Sequence, residues 1–161
     1  MSGTAQLPLA AVAVLVASVL TTPEAQADNS RLNDGVVANV YTVQQKAGCD
    51  TDVKISPPLR LAAQWHANDV LRNRALDGDL GSDGSTPQSR AAAAGFAGTV
   101  AETVAINNSF AINNLDVINQ WFHNPVDYAV MADCANTAIG VWSESNGFDR
   151  SVVVAVYGQP A

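Results

Sequence analysis

The sequence predicts an α+β fold, an antiparallel sheet covered by helices, and three observations predict it. Helical periodicities gather in the first part of the chain after residue 28, and β-rich runs gather in the last part. The two closing runs are joined around Asn146-Gly147, a pair suited to positive φ in a turn. No internal repeat or low-complexity stretch follows residue 28.

The elements can be taken in chain order. Leu32, Val36, Val37, Val40 and Val43 recur at helical spacing and predict a helix over Arg31 to Lys46, with Gly48 as its stop. Ser56-Pro57-Pro58 reads as an N-cap followed by prolines in a first turn, which opens a stronger helix from Pro57 to about Arg74. Its core-facing stripe is Leu59, Ala62, Ala63, His66 and Val70. Asp77 to Pro87, with Gly78, Gly81 and Gly84, is a loop by composition, and Ser85 or Thr86 can cap a short helix from Pro87 to about Ala94. Val100, Thr103, Val104 and Ile106 favour a strand over Thr99 to Ile106. Asn113 to Asn124 returns to the helical period, with Leu115, Ile118, Trp121 and Phe122 on its apolar side. Ala138 to Ser143 and Ser151 to Tyr157 are the hairpin strands.

Composition narrows the function classes. Leu7 to Leu20 is an apolar run of about fourteen positions leading to Ala25-Gln26-Ala27, the layout of a secretory signal peptide over residues 1–27 with cleavage before Asp28. A bilayer span needs about twenty such residues, so a retained anchor is the lesser alternative. Residues 28–161 then form a single domain. Fifteen acidic against eight scattered basic side chains give a formal charge of −7, which argues against a nucleic-acid partner. Cys49 and Cys134 are the only two cysteines, and in an exported chain they are expected to pair. Two buried thiols are the alternative.

Three segments, in this order and spacing, resemble the bacterial branch of the CAP superfamily, the cysteine-rich secretory, antigen 5 and pathogenesis-related 1 proteins. Leu61-Ala62-Ala63-Gln64-Trp65-His66-Ala67-Asn68-Asp69-Val70 resembles its first long helix. Gly81-Ser82-Asp83-Gly84-Ser85-Thr86-Pro87, with Arg90 and Ala94-Gly95-Phe96, is similar to its glycine loop and short helix. Ala101-Glu102-Thr103-Val104-Ala105 resembles the strand bearing the family's core glutamate, and Trp121-Phe122-His123-Asn124-Pro125 its tryptophan helix end. The resemblance covers about Arg31 to Tyr157 and implies an α-β-α sandwich around a central antiparallel sheet.

It also implies a central cleft, built in the family from two histidines and acidic residues that in several members hold a divalent metal. Here the first histidine position falls on Asp79 and the second on Asp127, while the glutamate persists as Glu102. A further acidic position falls near Arg90, which is basic. Convergence of Asp79, Glu102 and Asp127 would crowd three carboxylates and call for a hard cation, Ca²⁺, Mg²⁺ or Mn²⁺, among them. Arg90 could instead neutralise Glu102 with no ion. His66, on an apolar stripe, reads as a satisfied core residue, and His123 as an accessory site residue within reach of Asp127 if its helix continues. Ser82, Ser85 and Ser109 lack a recognised nucleophile setting. Trp65, Trp121, Trp142 and Phe122 read as core. The expectation is a monomeric, non-enzymatic binding protein, secreted or in the cell envelope, taking a small apolar ligand of lipid or sterol type or a protein partner. A metal-dependent or general-base hydrolase working around Glu102, with His123 or an ion assisting, is the alternative. A structural envelope protein without a small ligand is a third reading.

Overall fold

The computed structural model describes Gly3 and residues 24–161, with side chains from Asn29 onward, so the leader expected over residues 1–27 lies almost wholly outside the described residues. Helix α1, Glu24–Lys46, begins upstream of Arg31, because Glu24-Ala25-Gln26-Ala27 are good helix formers that carry no apolar stripe. The cleavage point expected before Asp28 falls within its first two turns. Next come β1 (Lys54–Ile55), α2 (Pro57–Arg72), α3 (Pro87–Ala93) and β2 (Gly98–Asn107). Helices α4 (Asn114–His123) and α5 (Pro125–Ala132) precede the hairpin β3 (Ala138–Ser145) and β4 (Ser151–Pro160).

Local chemistry accounts for most boundaries. Thr86 caps α3 through a reciprocal pair with Ser89: the Thr86 hydroxyl accepts from the Ser89 N–H and the Ser89 hydroxyl from the Thr86 N–H. Asn113 caps α4 in the same sense, accepting from the Asp116 N–H. Ser56 stands at the N-cap of α2, but its hydroxyl makes no capping bond; its backbone N–H donates instead to Ile139 of the sheet. Asn124 ends α4, and its side chain caps α5, so Pro125 opens a new helix. The sequence pattern does not foresee α5 because eight mostly apolar residues are too few to show a helical period. Between β3 and β4, the Asn146 carbonyl oxygen of the side chain accepts from the backbone N–H groups of Phe148, Asp149 and Arg150, and Gly147 adopts φ +75°.

The sheet order is β1-β3-β4-β2. Strand β4 pairs antiparallel with β3 on one side and β2 on the other, while the two-residue β1 adds a parallel edge to β3. The sheet is therefore mixed: the expected antiparallel body is present and β1 is an unforeseen addition. Val152, Val154 and Val156 pack with Leu59, Ala63 and Val70 of α2 and Ala91 of α3. Val153, Ala155 and Tyr157 face the other way, into Val36 and Val40 of α1, Val117 and Trp121 of α4, and Met131 of α5. These two layers make the α-β-α sandwich.

Cys49 and Cys134 form a disulfide across 85 residues, fixing the end of α1 to the end of α5. Closing a loop of that length restricts the unfolded chain by roughly 4–5 kcal/mol in the chain-entropy account. Beside it, the buried Gln44 amide donates to the Asn136 carbonyl at 2.9 Å.

Helix α2 approaches the sheet closely at Gly140. A Cβ there would collide with the backbone of Leu59 and Arg60. Gly140→Ala should therefore cost about 3 kcal/mol by overpacking, whereas Gly78→Ala, with open space around it, should cost little. Urea unfolding of the two variants checks this, and equal midpoints would contradict it.

Candidate functional site

Glu102 lies on β2 opposite Val156 and thus faces the α2–α3 layer. Its side chain is fully buried. Arg90, pointing in from α3 and itself 6% exposed, donates Nη2 to Glu102 Oε1 at 2.9 Å and to the Asp79 carbonyl at 2.7 Å. Its Nη1 donates to the Ser85 carbonyl at 2.9 Å and to the Ser85 hydroxyl at 3.1 Å. One guanidinium thus ties the central carboxyl to both ends of the glycine loop. His66, buried on α2, donates from Nε2 to the Gly78 carbonyl at 2.9 Å and lies 3.4 Å from Glu102 Oε1.

The loop is held from outside as well. Asp69 of α2 accepts from the Ser82 N–H and hydroxyl, both at 2.7 Å. Burial opposes the Asp69 charge, but the Ser82 and Asn73 donors outweigh it and hold its carboxyl below the usual range. Above this floor is a cleft of about 460 Å³ walled by Trp65, Asp69, Ser82, Asp83, Ser85 and Ser89, with His66 and Arg90 in its lining. Its outer wall is Trp65, 42% exposed.

Removal from water dominates the electrostatics. Burial pushes the Glu102 carboxyl up to about 8, with the charge and hydrogen bond of Arg90 pulling the other way and Asp79 adding to the rise. Burial thus favours the protonated acid, and Arg90 favours the carboxylate. Burial lowers the His66 pKa, leaving a neutral imidazole whose Nδ1 has no hydrogen-bond partner. Glu102 Oε2 and Arg90 Nε are likewise buried and unpartnered.

The expected carboxylate triad does not assemble. Asp79 contributes its backbone carbonyl to the site, while its exposed side chain acts on Glu102 only through charge. Asp127 sits on α5, in the layer across the sheet, where its charge acts on the Tyr157 hydroxyl. Successive residues of a strand face opposite sides, so Glu102 and the Thr103–Tyr157 hydroxyl pair point to different layers. Among the described residues no group of three or more His, Cys, Asp or Glu side chains lies close enough to share an ion. Asp79, Glu102 and Asp127 are not brought together by the fold.

Other expectations are corrected in the same way. His123 ends α4, exposed, with Nδ1 donating to the Asn119 carbonyl, and the break at Asn124 separates it from Asp127. Ser82 donates to Asp69, in the cleft that His66 also lines, and Ser109 donates to the Ala111 carbonyl. Trp121 is buried as expected, and Trp142 is half-buried under Arg60. Phe122 is 51% exposed, edge-on to Tyr128, because Val117 and Trp121 supply the face of α4 that meets the core. Two residues escaped sequence reasoning. His66 joins the site because the stripe it belongs to faces Glu102, a pairing that needs the strand's position. Arg150 is buried and donates to the Val70 and Leu76 carbonyls past the end of α2, and only its place after the hairpin turn hinted at it.

The cysteine-rich secretory protein family, CAP, matches over residues 31–157, and the chain belongs to it. Solved structures of similar fold include an outer surface protein of Borrelia burgdorferi, 18% identical with a TM-score of 0.67, where the match covers 83% of this chain and 94% of that one. An extracellular protein containing an SCP domain from Bacillus anthracis is 10% identical with a TM-score of 0.72, the match covering 89% of this chain and 45% of that one. A venom allergen-like protein of Schistosoma mansoni is 11% identical with a TM-score of 0.56, covering 80% and 88%. At these identities the likeness is one of fold. No curated protein matches at the sequence level.

Two expectations follow. A carboxyl raised to about 8 from its ordinary 4.5 binds a proton in the folded state that the unfolded chain has released, so stability falls as pH rises through that window. His66, lowered from 6.5, acts oppositely, and its effect fades as pH rises above 6.5. Between pH 6.5 and 8 Glu102 alone should therefore cost the wild type about 2 kcal/mol, the linkage of one proton over that interval. Glu102→Gln should flatten this limb in urea titrations; an unchanged slope would refute the assignment. Arg90→Met should destabilise by about 3 kcal/mol and speed amide exchange across 79–86, and a loss confined to stability, with the loop unaltered, would count against its role as the loop's tether.

Proposed function

We propose that this chain is an exported CAP domain acting as a binding module rather than a catalyst, and that it takes a small apolar ligand. The observation that carries this reading is the state of Glu102. A general base must be ionised and within reach of substrate, whereas this carboxyl is sealed from solvent, capped by Arg90 and pushed by burial toward its protonated form. The disulfide supports an oxidising compartment, and no described helix is long and apolar enough to cross a membrane. Removal of residues 1–27 as a leader belongs to the same proposal.

For the ligand, the surface that fits best is not the polar cleft above Arg90. A groove of about 570 Å³ runs between α5 and the start of the edge strand β2, lined by Val100, Ala101, Pro125, Val126, Ala129 and Val130. Val126 is 72% exposed there. A mostly apolar wall with a few polar groups at its rim, Asp133, Asn136 and Gln159 among them, suits an acyl chain or sterol body.

Thermal unfolding of the chain from residue 28 with palmitate and with cholesterol tests this. Ligand at a hundredfold excess over its dissociation constant should stabilise the wild type by about 2.7 kcal/mol. Ala129→Trp, at an exposed site in the groove, should abolish the response. Absence of any response to either lipid, or a response untouched by Ala129→Trp, would overturn the assignment.

A further inference from the structure

We propose that the polar cleft outside the Arg90–Glu102 joint is a second ligand site, separate from the apolar groove, and that it takes a neutral pyranose, a sugar ring held between Trp65 and the oxygens of the glycine loop. Its volume of about 460 Å³ lies within the roughly 300–1,000 Å³ that small-molecule sites occupy. Part of the lining is apolar, supplied by Trp65 of α2 and Ala93 of α3. Trp65 is 42% exposed, while Ala62, Ala63 and His66 of the same helix are buried. The face of an indole is the negative side of its quadrupole and attracts the polarised C–H groups of a sugar ring.

The rest of the lining is a set of fixed oxygens. A Cβ on Gly81 would run into the Ser85 hydroxyl, Asp83 Oδ1 and Asp69 Oδ2, so these three atoms converge on one place that a glycine leaves open. Each is set by the protein: Asp69 Oδ2 accepts from the Ser82 N–H at 2.7 Å, Asp83 Oδ1 from the Ser85 N–H at 2.8 Å, and the Ser85 hydroxyl from Arg90 Nη1 at 3.1 Å. A carboxylate offers about four lone-pair sites, so Asp83 keeps most of its accepting capacity for a ligand. Acceptors already held in place lose little freedom on binding. Two buried side chains complete the lining, His66 at 1% and Arg90 at 6% exposure. His66 donates through Nε2 to Gly78, which leaves Nδ1 an acceptor without a donor, and Arg90 Nε is a donor without an acceptor. A hydroxyl is the ligand group that can serve as both.

Charge selects among small polar ligands. An anion would meet the carboxylates of Asp69 and Asp83, and a cation would meet the Arg90 guanidinium. A neutral molecule with several hydroxyls and one apolar face meets neither objection, and a pyranose is such a molecule. This inference is independent of the apolar groove, which lies between α5 and the start of β2.

Saturation-transfer NMR on the full chain in EDTA tests the site with methyl β-glucopyranoside and methyl β-galactopyranoside. Irradiating the protein should transfer magnetisation to the ring C–H protons of at least one glycoside, and none to sorbitol or choline. Trp65→Ala should abolish the transfer in a chain that still melts cooperatively, and Trp65→Phe should keep it. Asp83→Asn, which retains the acceptor for the Ser85 N–H, should weaken binding about tenfold by removing the charge from one hydrogen bond. Cellotetraose binding more tightly than the methyl glucoside marks a sugar unit of a chain as the source, and equal binding a free sugar; both uphold the site. Ala129→Trp, in the apolar groove, should leave the sugar response intact, so the two readings fail separately. No transfer to either glycoside, equal transfer to sorbitol, transfer to choline in place of sugar, or transfer that survives Trp65→Ala would overturn the proposal.

Discussion

Strand β4 has no face on water. Every residue from Ser151 to Gly158 is buried, because β3 and β2 flank it and a helical layer covers each side. A strand buried on both faces reads as a continuous apolar run, and Val152-Val153-Val154-Ala155-Val156 is one. At about 25 cal/mol per Å² of apolar surface removed from water, burying five such side chains contributes on the order of several kcal/mol, and only if both helical layers are in place. The sandwich, the close seat of α2 at Gly140 and the disulfide that pins α1 to α5 all serve that double burial.

The central site inherits its character from the same constraint. Because β2 pairs with β4 in register, Glu102 is fixed opposite Val156 and directed into the α2–α3 layer. A carboxyl in that position loses its water, and the chain answers with one guanidinium from α3 and a neutral imidazole from α2. Arg90 does more than accompany Glu102: its other donors hold the Asp79 and Ser85 carbonyls, so the glycine loop and the strand are joined through one side chain. A basic residue at this place turns a family cleft into a closed polar joint.

Much of the fold was legible in the residues. The helical periods of α1, α2 and α4, the caps of α3 and the hairpin turn all follow from local chemistry, and the structure keeps them within a few residues. Helix α5 and β1 were not legible, since eight and two residues leave too short a pattern to distinguish from loop. In the site, Glu102 and the neighbouring Arg90 were readable as a pair that needs no ion. The partition of Asp127 to the opposite layer was not, because sequence order says nothing about which face of the sheet a following helix covers. His66 was read correctly as buried, but its approach to Glu102 depends on α2 lying across β3 and β4, beside the face of β2 that carries Glu102.

The sequence by itself determined the class of fold and the CAP family, because each rests on periodicity or motif order, and a count of two made Cys49 and Cys134 the expected pair. Tertiary structure alone decided which groups meet. Strand pairing set the face of Glu102, and helix packing brought His66 and Arg90 to it and carried Asp127 away. Periodic burial is written along the chain, residue by residue. Encounters between side chains far apart in sequence depend on layer and register, and these exist only once the sheet has closed.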